Sequence, residues 1–128
     1  MNPSREHQDL IKALKNHFIQ RLGFTILSVD LPESLDKPFQ IGRHSPDIIA
    51  KDQFGIIQIG EAKVGDNISS PESEEQFKDF SNQVMRGTNV PVPLHIIIFQ
   101  KDYNTLLTKL TTVGLSQKIG TKIVIWTI

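Results

Sequence analysis

Isoleucine, leucine and phenylalanine recur along this chain with two periods, and the switches between them lay out its elements. Leu10, Ile11, Leu14, Phe18 and Leu22 repeat at helical spacing between Asn2-Pro3, an N-cap with a first-turn proline, and Gly23, which predicts a first helix over roughly residues 3 to 22. Phe24 to Leu31 reads as a strand, and the Pro- and Asp-rich stretch Leu31 to Pro38 as a loop placed to lie over a site. Two isoleucine-rich segments, Asp47 to Lys51 and Gly55 to Lys63, flank Asp52-Gln53-Phe54-Gly55 and predict a β-hairpin. Ser70-Pro71 opens a second helix running to about Arg86, with Glu72, Glu74 and Glu75 complementing its dipole and Gly87 closing it. Leu94 to Gln100 is continuously apolar, as in a strand buried on both faces; Asp102 then caps a third helix bearing Leu106, Leu107 and Leu110, and Lys122 to Ile128 is a last strand. Patterning alone implies an α/β fold with a mixed sheet.

The hairpin carries the chemistry. If Lys51 faces Ile56 across the turn, the antiparallel ladder sets Asp47 opposite Gly60, and a one-residue change of loop sets it opposite Glu61. Side chains alternate faces along a strand, so Glu61 and Lys63 project together and Ala62 turns away. Two carboxylates meeting at one end repel each other, and a divalent ion with oxygen preference, Mg²⁺ or Mn²⁺, resolves that repulsion by bridging them. An ammonium beside such an ion can orient an attacking water and offset charge on phosphate oxygens, which points to phosphodiester hydrolysis. The competing reading is a salt-bridged hairpin end with Lys63 in solvent.

With 128 residues, the chain is expected to form one domain over 1–128. It has no cysteine, which excludes a disulfide framework and a zinc-thiolate site, and no apolar run of membrane-spanning length, so a cytoplasmic protein with no membrane partner is expected. His7, His17, His44 and His95 lack zinc-ligand spacing, and neither a Gly-rich phosphate loop nor a nucleophile elbow is present. Fourteen basic residues balance fourteen acidic ones, less basic than most chains that grip nucleic acid, so DNA binding would need cations gathered on one face.

Pro46-Asp47, thirteen intervening residues, and Glu61-Ala62-Lys63, set in the order helix, three strands, helix, strand, helix, strand, resemble the PD-(D/E)xK nuclease superfamily over almost the whole chain. The resemblance implies a restriction endonuclease-like αβββαβ core and a Mg²⁺-dependent deoxyribonuclease in which Asp47, Glu61 and the Ala62 carbonyl hold metal and Lys63 positions water. The nearest pattern is that of archaeal-type Holliday junction resolvases, which carry a glutamate near the start of the first helix. Glu6, four residues before Leu10 and eight before Leu14, is similar in position and is expected on the buried stripe as a further ligand, with a first-turn dipole role as the alternative and Asp9 as a substitute. Gln76 with Phe80 is similar to the Gln-x-x-x-aromatic pattern of the RecB-like branch, although Ser73-Glu74-Glu75-Gln76 also fits a capping box and Gln83 shares the face.

Arg43, His44 and Ser45 precede Pro46-Asp47 and are placed to touch a scissile phosphate, or else are solvated loop residues. The leading expectation is a small stand-alone DNA endonuclease, junction-resolvase-like or of restriction or repair type, acting as a homodimer on two-fold substrates. Its alternatives are a nuclease directed at RNA and a non-catalytic DNA-binding or assembly module of a larger protein system, with the apolar strand ending in Ile125-Trp126-Thr127-Ile128 as an interface.

Overall fold

The computed structural model describes residues 4–128, and the expected Asn2-Pro3 cap lies outside them. The chain runs α1 (Arg5–Gln20), β1 (Thr25–Val29), β2 (Ile48–Lys51), β3 (Ile57–Ala62), α2 (Pro71–Phe80), β4 (Leu94–Ile98), α3 (Tyr103–Thr112) and β5 (Ile123–Thr127), with a 3-10 turn at Gly65–Ser69 leading into α2. One five-stranded sheet has the order β1-β2-β3-β4-β5, antiparallel from β1 to β3 and parallel from β3 to β5. The protein is therefore α/β with a mixed sheet and three helices. No helix among the described residues is long and apolar enough to cross a membrane.

The period of two in the strands divides the core between the two sheet faces. Ile97 of β4, Ile48 and Ala50 of β2 and Ala62 of β3 pack under Leu10, Ile11, Leu14 and Phe18 of α1. Leu94, Ile96 and Ile98 of β4 and Ile59 of β3 point the other way, against Phe77 and Phe80 of α2 and Leu106 and Leu110 of α3. All five residues of β4 are buried, as expected of a strand covered on both faces. At Gly60 the sheet has no side chain because α1 needs the space: a Cβ there would lie 2.9 Å from Leu14 Cδ2 and 3.0 Å from Ile48 Cβ.

The structure departs from the sequence reading at one helix end, one loop and one cap. The helix α2 ends at Phe80, not near Arg86. Its last turn tightens, with Asn82 N donating to Asp79 O and Gln83 N to Phe80 O, and the Gln83 side chain also donates to Asp79 O at 3.0 Å. Beyond it, Val84 bridges Pro91, Met85 N donates to Val90 O and Val92 N to Gln83 O, so Gly87 sits in a turn rather than at a helix end. The loop after β1 contributes no residue to the cleft at the hairpin end; Val29 N donates to Asp36 O, and Ser34, Leu35 and Asp36 lie beside β1 instead. Asp102 stands at the start of α3, but its carboxylate accepts from Gly65 N at 3.2 Å and makes no capping bond.

Candidate active site

The hairpin turn decides which carboxylates meet. Asp52 Oδ1 accepts from Phe54 N at 2.8 Å and from Ile56 N at 2.9 Å, while Asp52 N donates to Ile56 O, so the loop absorbs Ile56 and Lys51 pairs with Ile57. Of the two registers open to the sequence, this one puts Ile48 opposite Gly60 and brings Asp47 level with Glu61. Each acid is then tied to the other's strand: Ala62 N donates to Asp47 Oδ2 at 2.8 Å, and Asp47 N to Glu61 Oε1 at 3.1 Å.

Lys63 joins them because it shares the Glu61 face. Its Nζ lies 3.4 Å from Glu61 Oε2, donates to Gln76 Oε1 from the second turn of α2 and sits 5.9 Å from the Phe77 ring centroid. The helix cap that competed for Gln76 is made elsewhere, by Ser70, whose hydroxyl accepts from Ser73 N at 3.1 Å. The four residues are nearly solvent-free, with Asp47, Lys63 and Gln76 each 8% exposed and Glu61 3%.

Such burial makes the charge balance tight. Burial first, and then the neighbouring Asp47 carboxylate, push the Glu61 acid well above the usual carboxylate range, with Lys63 acting against them. Two acids share a site served by a single ammonium, an arrangement that favours either a retained proton or an added cation.

A histidine supplies the fourth titratable group. His7 Nε2 is 3.0 Å from Ala62 O and 3.2 Å from Asp47 Oδ2, so its N–H donates to both oxygens. Burial opposes charging of the ring, but the Asp47 bond and charge and the Ala62 carbonyl outweigh it, and His7 titrates above its ordinary value. His7 reaches the hairpin end from α1, on the opposite sheet face, because it stands three, four and seven residues before Leu10, Ile11 and Leu14. That spacing was visible in the sequence and identifies His7 as the stripe residue. Glu6, one position earlier and about 100° round the helix, is exposed and lies beside Phe99, Gln100, Lys101 and Ile128 instead, so its expected place on the buried stripe is corrected. Asp9 is exposed as well.

Asp47, Glu61, Lys63, His7 and Gln76 line a cleft of about 260 Å³, completed by Ser45, Asn67, Ser70, Glu72 and Ser73. Of the loop residues expected to touch substrate, Ser45 lines this cleft and Arg43 is exposed, whereas His44 is turned inward onto Asp79 and Phe80. No group of three or more His, Cys, Asp or Glu side chains among the described residues forms a ready-made metal cage. The donor chemistry nevertheless fits a hard divalent ion: two carboxylates and a backbone carbonyl converge, and only an imidazole N–H and one ammonium offset them. Comparison with known proteins gives no match: no family model, no curated protein and no solved structure matches the chain.

Proposed function

We propose that the protein is a metal-dependent nuclease of the PD-(D/E)xK type that hydrolyses DNA phosphodiester bonds. The observation carrying this reading is the convergence of Asp47, Glu61 and Lys63 at one end of the β2–β3 hairpin, with Lys63 Nζ 3.4 Å from Glu61 Oε2 and Asp47 Oδ2 holding Ala62 N at 2.8 Å. Further support comes from the element order α1, β1, β2, β3, α2, β4, α3, β5, which contains the αβββαβ succession of a restriction endonuclease-like core. The residues that would hold Mg²⁺ or Mn²⁺ are Asp47, Glu61 and the Ala62 carbonyl, with His7 Nε2 already against two of these three groups. An ion bound there would supply Lewis acidity at the phosphate and at the attacking water.

The remaining work falls to the chain's own groups. Lys63, held between Glu61 and Gln76, places a positive charge where a phosphate's non-bridging oxygens gain negative charge and offers an N–H to orient the incoming water. Glu61 keeps Asp47 N paired through Oε1 while its other oxygen meets Lys63, so both ends of the carboxylate are held in place.

A non-catalytic DNA-binding or assembly module has one observation in its favour: Ala62 O and Asp47 Oδ2 already meet protein donors, as they would in a site built to be closed. Cleavage of four-way junction, flap, single-stranded and duplex DNA, with matched RNA, in Mg²⁺, Mn²⁺ or EDTA separates the readings. Metal-dependent cutting that disappears in Glu61→Gln establishes the nuclease, and the preferred substrate gives its class. Binding without cutting of any substrate favours the module.

A further inference from the structure

The segment Ile41 to His44 is a closed turn beside the cleft, and α2 holds it from behind. Ile41 N donates to His44 O at 2.8 Å and His44 N returns a bond to Ile41 O at 3.3 Å, pinching Gly42 and Arg43 into a two-residue loop. Gly42 has φ +63° and no residue other than glycine takes a positive φ among the described residues, the signature of a type II′ turn with glycine at its first central position. Asp79 accepts from Arg43 N at 2.8 Å and meets His44 Nδ1 at 3.0 Å through Oδ2, while its Oδ1 takes Gln83 Nε2 at 3.2 Å. The His44 ring also stands edge-on to Phe80, and its Nε2 is 3.8 Å from Glu75 Oε2. His44 is thereby spent on anchoring. Arg43 is the opposite case: its backbone is fixed, its side chain is exposed and its guanidinium has no hydrogen-bond or ion-pair partner among the described residues. Two residues further on, Ser45 lines the cleft, and Asp47 follows after Pro46.

The geometry points to Asp79 as a positioning residue that presents Arg43 as a preformed contact for a substrate backbone phosphate flanking the scissile bond. This rests on the nuclease reading and deepens it, since it assigns the grip on the strand to the Ile41–His44 turn and removes His44 from the direct contacts. A cation carried on a turn whose backbone is already ordered loses less entropy on binding than one on a loose loop. It reads no bases, so its contribution is independent of sequence and sensitive to salt.

The test measures binding of labelled duplex and single-stranded DNA by anisotropy across salt concentrations, using chains silenced by Glu61→Gln, alongside cleavage kinetics with Glu61 intact. Arg43→Ala should weaken binding about tenfold for every sequence and lower the salt slope by about one, with Arg43→Lys keeping part of the affinity. Asp79→Ala should cost a similar factor although Arg43 is present, the loss falling on KM more than on kcat, and the double variant should lose no more than either single one. Gly42→Ala provides a second way to break the clamp from outside the core, because its Cβ would sit 2.4 Å from Asp79 Oδ1. If the protein binds and cuts DNA while Asp79→Ala and Gly42→Ala bind as tightly as the parent, the clamp is overturned and the nuclease reading stands. If the parent chain neither binds nor cuts any nucleic acid, both fall together.

Discussion

Two buried polar clusters sit on opposite faces of the same sheet, and they solve the burial problem in opposite ways. On the α1 face, the indole N–H of Trp126 can only donate, so His95 Nδ1 must accept it at 3.0 Å. The proton of His95 is then on Nε2, where it reaches Gln58 Oε1 at 2.7 Å, and the Gln58 amide passes on to Asp52 Oδ2 at 3.3 Å. Each of these groups has its complement, and the ring is kept neutral: burial pulls His95 down to about 4. On the other face, Asp47 and Glu61 line a cleft with the Lys63 ammonium and the His7 imidazole, and burial and the Asp47 charge raise the cost of ionising Glu61. The first cluster is closed by hydrogen bonds that link β3, β4 and β5; the second sets two carboxylates against one ammonium and one imidazole at the wall of a cleft.

Substitutions should separate these roles, and the largest effect is expected in the cleft. Glu61→Gln keeps an acceptor for Asp47 N but removes the charge, so cleavage in Mg²⁺ should fall by about 10²- to 10⁴-fold, read as single-turnover rates on the preferred substrate. Lys63→Ala should cost about 10²- to 10³-fold in the same assay. His95→Leu reverses the pattern. By stranding the Trp126 N–H and Gln58 Oε1 it should lose about 2–4 kcal/mol in urea unfolding, with the rate per folded molecule retained.

Acid and base should sharpen the contrast, because the two clusters carry opposite linkage signs. His95 is lowered from 6.5 to about 4, so the stability it contributes is complete above pH 6.5 and is lost as pH falls toward 4, a loss that His95→Leu abolishes. Glu61 is raised above 4.5, so its contribution is complete below that value and is lost as pH rises through the raised one. In EDTA, Glu61→Gln should therefore gain on the parent in Tm as pH rises above 4.5, whereas added Mg²⁺ should stabilise the parent and not the variant. The smallest effect is expected for His7→Ala, about 10- to 100-fold in the Mg²⁺ concentration needed for half-maximal rate, since Asp47 and the Ala62 carbonyl remain.

Local pattern carried much of this into view. The two isoleucine runs around Asp52-Gln53-Phe54-Gly55 can bury themselves only as paired strands, and period two then forces Glu61 and Lys63 to one side. Ser70-Pro71 starts α2 for equally local reasons, with a hydroxyl cap and a ring that needs no donor. The misplacement of Glu6 came from reading the helix stripe one residue early; His7 satisfied the spacing to Leu10, Ile11 and Leu14 better, but a histidine among apolar neighbours carries no sign of its distant partners.

What the sequence determined by itself was thus the set of elements, their order, and an acid, an acid and an amine near one hairpin end, because propensity, period and turn chemistry act over a few residues. Tertiary structure decided the rest. It selected the register that levels Asp47 with Glu61, brought His7 across from the far face of the sheet, ended α2 at Phe80 and turned Asp79 back onto Arg43 and His44. The contacts of Asp47 with Glu61, of His7 with Ala62 and of Asp79 with Arg43 and His44 join residues fourteen to fifty-five positions apart, and a bond between such distant groups forms only when the packed sheet has already paid their loop-closure entropy.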